Sequence, residues 1–348
     1  MSKKVLVALS GGVDSAVAAF ILKEQGYDVA GITMSFGHRY SDRAVVDARA
    51  VARQLDISHK VFNASTELKK YVIADFLAEY ANGRTPNPCV RCNELLKFNL
   101  LFEKARKLGF SSLATGHFAR IEKGSNGYSL KKGADSKKDQ SYFLCLLSKK
   151  SLSHILFPLG SMTKEQVLAL ARKNSFCVAD KRSSQEVCFI PGNDYRAFLK
   201  KHLGRAYFKK GEIVDQQGCV LGYHKGIVNY TIGQREGLGI SASEALYCVK
   251  LDARENKVVV GFKKDVYSRG LVAESLNILE KGLFSDSVLL KAKIRYSHPE
   301  GSCCICKLDK DKVAVHFLEP QNAITPGQFV VFYHGDVVAA GAKITEVL

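Results

Sequence analysis

No apolar run in this chain approaches the roughly 20 residues that a membrane-spanning helix requires. Its Met1-Ser-Lys-Lys start leads into a short strand, not into a long apolar segment with a cleavage site. Both absences argue against membrane attachment and for a cytoplasmic protein. Internal repeats and low-complexity segments are also missing, which leaves no signal for a solenoid or a disordered tail. There is no G-x-G-x-x-G, and Ser10–Leu22 contains no lysine, so neither a dinucleotide fingerprint nor a kinase-type phosphate loop is present. Ten cysteines in 348 residues are too dilute for a disulfide scaffold. The other cysteines at C-x-x-C spacing, Cys303 and Cys306, fall in the strand-like run Cys303-Cys-Ile-Cys306, so the loop pair Cys89-Val-Arg-Cys92 lacks the matching second pair that a structural zinc site usually takes.

Positive charge is abundant: Lys and Arg number 51 against 34 Asp and Glu, a net charge of +17. An excess of this size attracts polyanions, and nucleic acid is the leading partner. The length allows two or three domains. From Val5 to about Phe118 short apolar strands alternate with amphipathic helices, the pattern of a doubly wound parallel α/β sheet. Strands are expected at Val5–Leu9, Val29–Met34, Ser58–Phe62 and Ser112–Thr115. Helices are expected near Ala16–Gln25, Arg43–Leu55, Leu68–Glu79 and Asn93–Leu108. Between Tyr195 and Gly211, Arg196, Lys200, Lys201, Arg205, Lys209 and Lys210 mix with Tyr195, Phe198, Tyr207 and Phe208 without one acid. That mixture suits RNA, with cations on phosphates and aromatics on unpaired bases, or else an amphipathic helix whose aromatics face its own core. From Gly211 onward, alternating runs at Leu246–Leu251, Lys257–Val260, Val288–Ile294, Lys312–Phe317 and Phe329–Tyr333 read as small β domains. Boundaries near Gly204 and Ser268 give segments 1–203, 204–267 and 268–348.

Val5-Leu-Val-Ala-Leu9 followed by Ser10-Gly-Gly-Val-Asp-Ser15 is an apolar strand that ends in a glycine-rich turn opening a helix. Gly11 and Gly12 let backbone N–H groups close around an anion while the helix directs its positive end at the same point. The plainer reading is a strand-turn-helix capped by Ser10 or Asp14. The loop resembles the pyrophosphate loop of N-type ATP pyrophosphatases, which attack the α-phosphorus of ATP and release pyrophosphate. Met34 and Gly116 fall at other expected strand ends, where such sheets hold ligands.

Gly83-Arg-Thr-Pro-Asn-Pro-Cys89-Val-Arg-Cys92 brings two thiols to the start of the helix expected from Asn93. Helix N–H groups with Arg84 and Arg91 would lower their pKa. Ser183-Ser-Gln-Glu-Val-Cys188-Phe-Ile190 reads as a short strand carrying a third thiol behind Lys181 and Arg182. Cys145, Cys177, Cys219 and Cys248 lie among apolar neighbours and are expected to be buried. Cys303, Cys304 and Cys306 are expected to be structural.

Together with Ala114-Thr-Gly-His-Phe-Ala-Arg120, Lys138-Asp-Gln-Ser-Tyr-Phe-Leu144, Tyr230-Thr-Ile-Gly-Gln-Arg235, Gly237-Leu-Gly-Ile240, Arg295-Tyr296 and Ala323-Ile-Thr-Pro-Gly-Gln328, these motifs make the chain resemble the bacterial tRNA-specific 2-thiouridylases over nearly its whole length. The resemblance implies a pyrophosphatase domain like the adenine nucleotide alpha hydrolases, a small central tRNA-binding domain and a C-terminal β-barrel. It implies ATP on Ala8, Leu9, Ser10, Gly11, Gly12, Val13, Asp14 and Ser15, with adenine near Met34 and Gly116 and Mg²⁺ offsetting phosphate charge. Cys188 becomes the persulfide carrier, and Cys92 the thiol that attacks the persulfide and leaves a transient disulfide. Asn87, Pro88 and Cys89, with Lys138, Asp139 and Gln140, would receive the flipped wobble uridine. His117, Arg295, Tyr296 and Gln328 would contact the tRNA. The same resemblance implies a cysteine desulfurase or sulfur-carrier protein as donor, and lysine, glutamate and glutamine tRNAs as substrates.

Two departures stand out. Many members of the family carry aspartate where this chain has Cys89, so Cys89, Cys92 and Cys188 could instead hold an iron-sulfur cluster with one open iron. The stretch Ser35–Arg43 is shorter than the family's usual insertion there. Two other readings remain: an ATP-dependent small-molecule ligase, which the loop also suits, and a non-enzymatic RNA-binding protein with a zinc-stabilised loop.

Overall fold

The computed structural model describes residues 3–37, 39–181, 187–284 and 288–348. Arg182 and Ser183–Glu186 of the Cys188 motif, and His38 of the shortened stretch, lie outside them. Two compact units divide the chain. The first comprises Met1–Val72, Cys89–Phe189 and Gly335–Val338; the second comprises Ile73–Pro88, Ile190–His334 and Ala339–Leu348.

The first unit holds a five-stranded sheet in the order Ser58–Asn63, Asp28–Ser35, Lys4–Ala8, Ser112–Ala114 and Ile155–Leu156. Every pairing is parallel, in register Leu6 with Ala30 and Leu113, and Leu113 with Ile155. A parallel sheet buried on both faces needs continuous apolar strands, and Val5-Leu6-Val7 supplies one with each residue at most 1 % exposed. The doubly wound fold expected from the alternating pattern is present. Chain order reverses direction beside Lys4–Ala8, the switch point at which such sheets form their ligand crevice. Helix Val13–Glu24 buries Ala16, Val17, Ala18 and Ala19 against this sheet and against helix Lys164–Lys173 through Val167 and Ala171. The Ile155–Leu156 strand and the hairpin Ala119–Gly124 with Gly127–Lys132 were not apparent from periodicity. The hairpin's inner residues are short and mixed, and its edge is stabilised by Arg120, Lys131, Glu122 and Asp336.

The second unit contains two β structures. In the first, strands Tyr247–Asp252, Lys257–Gly261, Gly211–Val214 and Val220–His224 lie in that order, with one parallel pairing between the middle two. In the second, Tyr267–Ile278, Val313–Asn322, Gly301–Lys307, Leu290–Lys293, Phe329–His334 and Val337–Val347 follow one another, and the last pairs back with the first. This closed six-stranded barrel encloses Leu271, Phe284, Ile305, Val315, Phe332 and Ile344, and closure removes the sheet edges that invite association.

Among the described residues no helix is long and apolar enough to cross a membrane. None of the ten cysteines is in a disulfide. Cys145 and Cys248 are buried as their neighbours suggested, and Cys303 is buried too, but Cys177 and Cys219 are exposed. Cys177 follows the end of helix Lys164–Lys173, and Cys219 sits in a turn whose backbone is capped by Asp215; neither position has a core to face. Cys304 and Cys306 point outward on the barrel strand whose inward residues are Cys303 and Ile305.

Candidate active site

The glycine-rich loop leaves the carboxyl end of Lys4–Ala8. Its two serines lock the turn: Ser10 N donates to Ser15 Oγ at 3.1 Å, and Ser15 Oγ donates to Gly12 O at 3.0 Å. Gly11 has φ 70°, and a Cβ there would stand 2.5 Å from the carbonyl oxygen of Ala44, so no other residue fits. Gly12 is the N-cap of helix Val13–Glu24 and supplies no side chain. The cap from Ser10 or Asp14 that the plainer reading requires is not made, because Ser10 bonds to Ser15 and Asp14 turns to Lys164. The helix therefore presents its first N–H groups without a side-chain acceptor, the arrangement that binds an anion.

Gly116, two residues past Ser112–Ala114, lies directly on this turn. A Cβ at Gly116 would come 2.6 Å from Asp14 C and 2.8 Å from Ser15 N. Leu9 carbonyl accepts from Thr33 Oγ1 at 2.7 Å, which ties the loop to the end of Asp28–Ser35, where Met34 is half-buried. Ala8 is half-buried, and Leu9 and Val13 are buried.

Two lysines from elsewhere in the chain lie against the turn. Lys181 Nζ donates to Gly11 O at 3.0 Å and pairs with Asp47 Oδ2 at 2.5 Å. Lys164, the first residue of its helix behind the capping box of Thr163 and Gln166, pairs with Asp14. Sequence reading missed both cations in this role. The capping box fixed where Lys164 begins a helix, but nothing local announced that this helix packs beside the loop.

The thiols occupy the same unit. The expected helix Asn93–Leu108 is observed as Pro88–Arg91, a π-helical stretch Cys92–Leu100, and Leu101–Lys107. π-helical turns are uncommon and recur at functional sites. Cys188 and Phe189 form a turn, not a strand, and Pro191 lacks the N–H that a ladder needs. The three thiols sense one another. Burial pushes Cys188 up to about 12, with Cys92 and then Cys89 adding to it. Burial and Cys92 push Cys89 up to about 11, and burial raises Cys92. Cys89 and Cys188 keep accessible surface, yet protein atoms crowd the sulfurs on most sides, and that desolvation disfavours the thiolate.

The expected lowering of these pKa values is thus corrected. Desolvation outweighs the helix end, and Arg91 spends its charge on Glu94 at 2.5 Å. The cation that does reach all three sulfurs, opposing the upward shift, is Lys97. Cys89, protonated near neutral pH, does not reproduce the charge of the aspartate common in the resembled family. Beside Cys92, Asn93 is 3 % exposed; its amide donates to Phe143 O at 3.1 Å, while its buried Oδ1 has no partner among the described residues.

His117 joins the loop region to the thiols. It follows Gly116, hydrogen-bonds Thr115 Oγ1 through Nδ1 at 2.7 Å, and sits 5.8 Å from the ring of Phe98 in the π-helical stretch. Burial, then Lys97, holds its pKa well below the ordinary histidine value, so it is neutral at pH 7. The Lys138-Asp-Gln140 segment braces this strand end. Gln140 accepts from Phe118 N at 2.9 Å and donates its own N–H to Phe118 O at 2.8 Å. Asp139 is 8 % exposed and accepts from Gly133 N, Ser141 N and Ser141 Oγ at 2.9–3.0 Å, so its carboxylate is spent on its own loop. Lys138 is half-buried.

In the second unit, Ala323–Gln328 cradles the proline-bracketed segment. Gln328 Nε2 donates to Thr85 O at 2.9 Å, Thr85 N donates to Pro326 O at 2.9 Å, and a Cβ on Gly327 (φ 93°) would strike the Thr85 backbone at 2.9 Å. Asn87 and Pro88 close that segment. Arg295 is half-buried; one terminal nitrogen reaches Ile232 O and Ala323 O at 3.1 Å and also Thr325 Oγ1. Lys293 lies 6.0 Å from the ring of the neighbouring Tyr296. Of the basic-aromatic stretch, Phe198 turns into the core and Tyr195 stacks on Tyr80, whereas Tyr207 stays exposed.

The chain matches three family descriptions in sequence: "tRNA methyl transferase HUP domain" over residues 3–192, "tRNA methyl transferase PRC-barrel domain" over 196–262 and "Aminomethyltransferase beta-barrel domain" over 268–344. It is 48% identical over 360 residues to "tRNA-specific 2-thiouridylase MnmA 1" of Caldanaerobacter subterraneus subsp. tengcongensis, covering 99% of both chains. It is 46% identical over 357 residues to "tRNA-specific 2-thiouridylase MnmA" of Geobacter metallireducens, covering 98% of this chain and 96% of the relative. The relative of that name in Lachnoclostridium phytofermentans is 43% identical over 357 residues, covering 99% of this chain and 100% of its own.

Proposed function

Because this chain belongs to the tRNA-specific 2-thiouridylase family, we propose that it replaces oxygen by sulfur at C2 of a tRNA wobble uridine at the expense of ATP. One observation carries this reading: Gly116 lies against the anion-binding turn while the adjacent His117 packs on Phe98, in the π-helical stretch that begins at Cys92.

ATP would rest its phosphates on the N–H groups of Gly11–Ser15, with Lys181 and Lys164 as flanking cations and Met34 and Gly116 toward the adenine. Mg²⁺ would supply further charge neutralisation; Asp14 is the one carboxylate of the turn, and it would have to exchange its Lys164 partner for the ion. The uridine C2 oxygen attacks the α-phosphorus, the bond to pyrophosphate breaks, and C2 then bears AMP as leaving group. The terminal sulfur of a Cys188 persulfide attacks C2 and AMP departs. Cys92 thiolate attacks the Cys188 sulfur, releasing the thiolated base and forming a Cys92–Cys188 disulfide, which a two-electron thiol reductant reopens. His117, neutral, is assigned to tRNA contact with Arg295, Tyr296 and Gln328, and Asn87, Pro88 and Cys89, with Lys138 and Gln140, are assigned to the flipped uridine. The sulfur itself would come from a cysteine desulfurase or a carrier protein.

An iron-sulfur cluster is given no step. Among the described residues no three His, Cys, Asp or Glu side chains are grouped to hold a metal ion, so Cys89, Cys92 and Cys188 do not fit one as they stand.

The test is an anaerobic assay with ATP, Mg²⁺, sulfide or a persulfide donor, and unmodified tRNA. Thionucleoside detected by mass spectrometry, together with tRNA-dependent pyrophosphate release, is expected. Pyrophosphate release driven by a small molecule without tRNA would support a ligase, and tRNA binding without ATP consumption a non-enzymatic protein.

A further inference from the structure

The Thr231–Gly237 motif is not absorbed by the reaction above. It walls a cleft of about 620 Å³ in the second unit, together with Tyr195, Arg196 and Arg295. That size suits one small ligand, not a duplex.

The cleft is rigidly built. Gln234 Oε1 accepts from Thr231 N at 3.1 Å and its amide donates to Glu236 O at 2.9 Å. Gly233 N donates to Cys248 O at 2.8 Å, and Cys248 N returns a bond to Gln234 O at 2.9 Å. Gly233 adopts φ 85°, and a Cβ would strike that of Ala323 at 2.7 Å. On the opposite wall, Tyr195 is fixed by stacking on Tyr80, with ring centroids 5.4 Å apart. Arg196 anchors Nε and Nη2 on Asn229 O, at 3.4 and 3.2 Å, while its Nη1 makes no hydrogen bond among the described residues.

We propose that this cleft receives one nucleotide of the bound RNA, away from the reacting uridine, with its phosphodiester on Arg196. The proposal rests on the thiouridylase reading and extends its RNA-binding surface. Charge selects the ligand: Arg196 and Arg295 against Glu236 leave one net positive charge, which complements a single diester. The Glu236 carboxylate would repel the additional charges of a free nucleoside triphosphate. Arg196 belongs to the acid-free stretch Tyr195–Gly211, whose further lysines and arginine extend the positive charge available to an RNA strand.

The test uses full-length protein, unmodified tRNA, and ATP and AMP as separate ligands. Arg196→Gln should weaken tRNA binding about 10-fold near physiological salt and lower the slope of log affinity against log salt by about 1, while ATP titrates as in the unaltered protein. Glu236→Lys should raise that slope by about 1 and gives a second readout should Arg196→Gln melt early. Ultraviolet cross-linking of tRNA should recover a peptide containing residues 231–237. Unchanged affinity and slope in both variants would overturn the cleft assignment, as would a defect confined to AMP. Unaltered protein that neither binds nor thiolates tRNA would instead overturn the reading on which the proposal rests.

Discussion

Lys181 Nζ lies 3.0 Å from the carbonyl oxygen of Gly11, which sets an ammonium from far along the chain beside the glycine-rich turn proposed to hold phosphate. Its partner Asp47 keeps the ammonium in place without consuming all three of its donors. A charge-assisted contact of this kind is worth about 1.5–3 kcal/mol. Lys181→Ala should therefore lower kcat/KM for ATP in tRNA-dependent pyrophosphate release by about 10- to 100-fold, with tRNA affinity unchanged. A change under about threefold would remove Lys181 from the phosphate site.

Gly116 fails any larger side chain for a steric reason: the nearest atoms to a new Cβ are backbone atoms of Asp14 and Ser15, which cannot swing aside. Gly116→Ala should displace the turn and abolish ATP binding by calorimetry, while tRNA binding largely persists through the proposed contacts of Arg295, Tyr296 and Gln328 in the second unit. Normal ATP affinity would show that adenine and phosphates lie elsewhere.

Much of the first unit was legible in the sequence because period and punctuation agree there. Val5–Leu9 is a continuous apolar run, Gly11 and Gly12 mark the turn, and the helix behind them is rich in alanine. Short elements were less legible. Ile155–Leu156 is two residues long, and its strand identity comes only from pairing with Leu113 and Ala114. The site was legible as motifs but not as contacts. Nothing in Ala323–Gln328 reveals that it grips Thr85, or in Asp139 that its carboxylate serves its own loop. The thiol electrostatics misled because a helix start is visible in sequence whereas desolvation is a property of the packed structure.

The cysteines should separate cleanly. Cys188→Ser and Cys92→Ser should each abolish thionucleoside formation while tRNA-dependent pyrophosphate release continues, since neither thiol is needed to activate C2. Cys89→Ala should keep at least half of the activity under anaerobic conditions. Mass spectrometry of enzyme stopped after one turnover without reductant should find Cys92 linked to Cys188. Loss of activity in Cys89→Ala accompanied by loss of bound iron would replace the persulfide route by a cluster.

Lys97 governs the pH dependence. In the proposed reaction Cys92 attacks as thiolate; burial raises its pKa while the Lys97 ammonium opposes that rise. With a raised thiol pKa the attacking fraction grows as pH increases, so sulfur transfer should climb through the alkaline range in single-turnover assays on preformed persulfide enzyme. Removing the cation lets the Cys92 pKa rise further, so Lys97→Met should move the ascending limb to higher pH and slow transfer at pH 7. The same substitution relieves a cation that holds His117 low, so the histidine pKa, followed by NMR, should move upward. Paired shifts in opposite functional directions, less thiolate and more imidazolium, distinguish an electrostatic role from simple loss of packing. An unchanged pH profile in Lys97→Met would mean that another group activates Cys92.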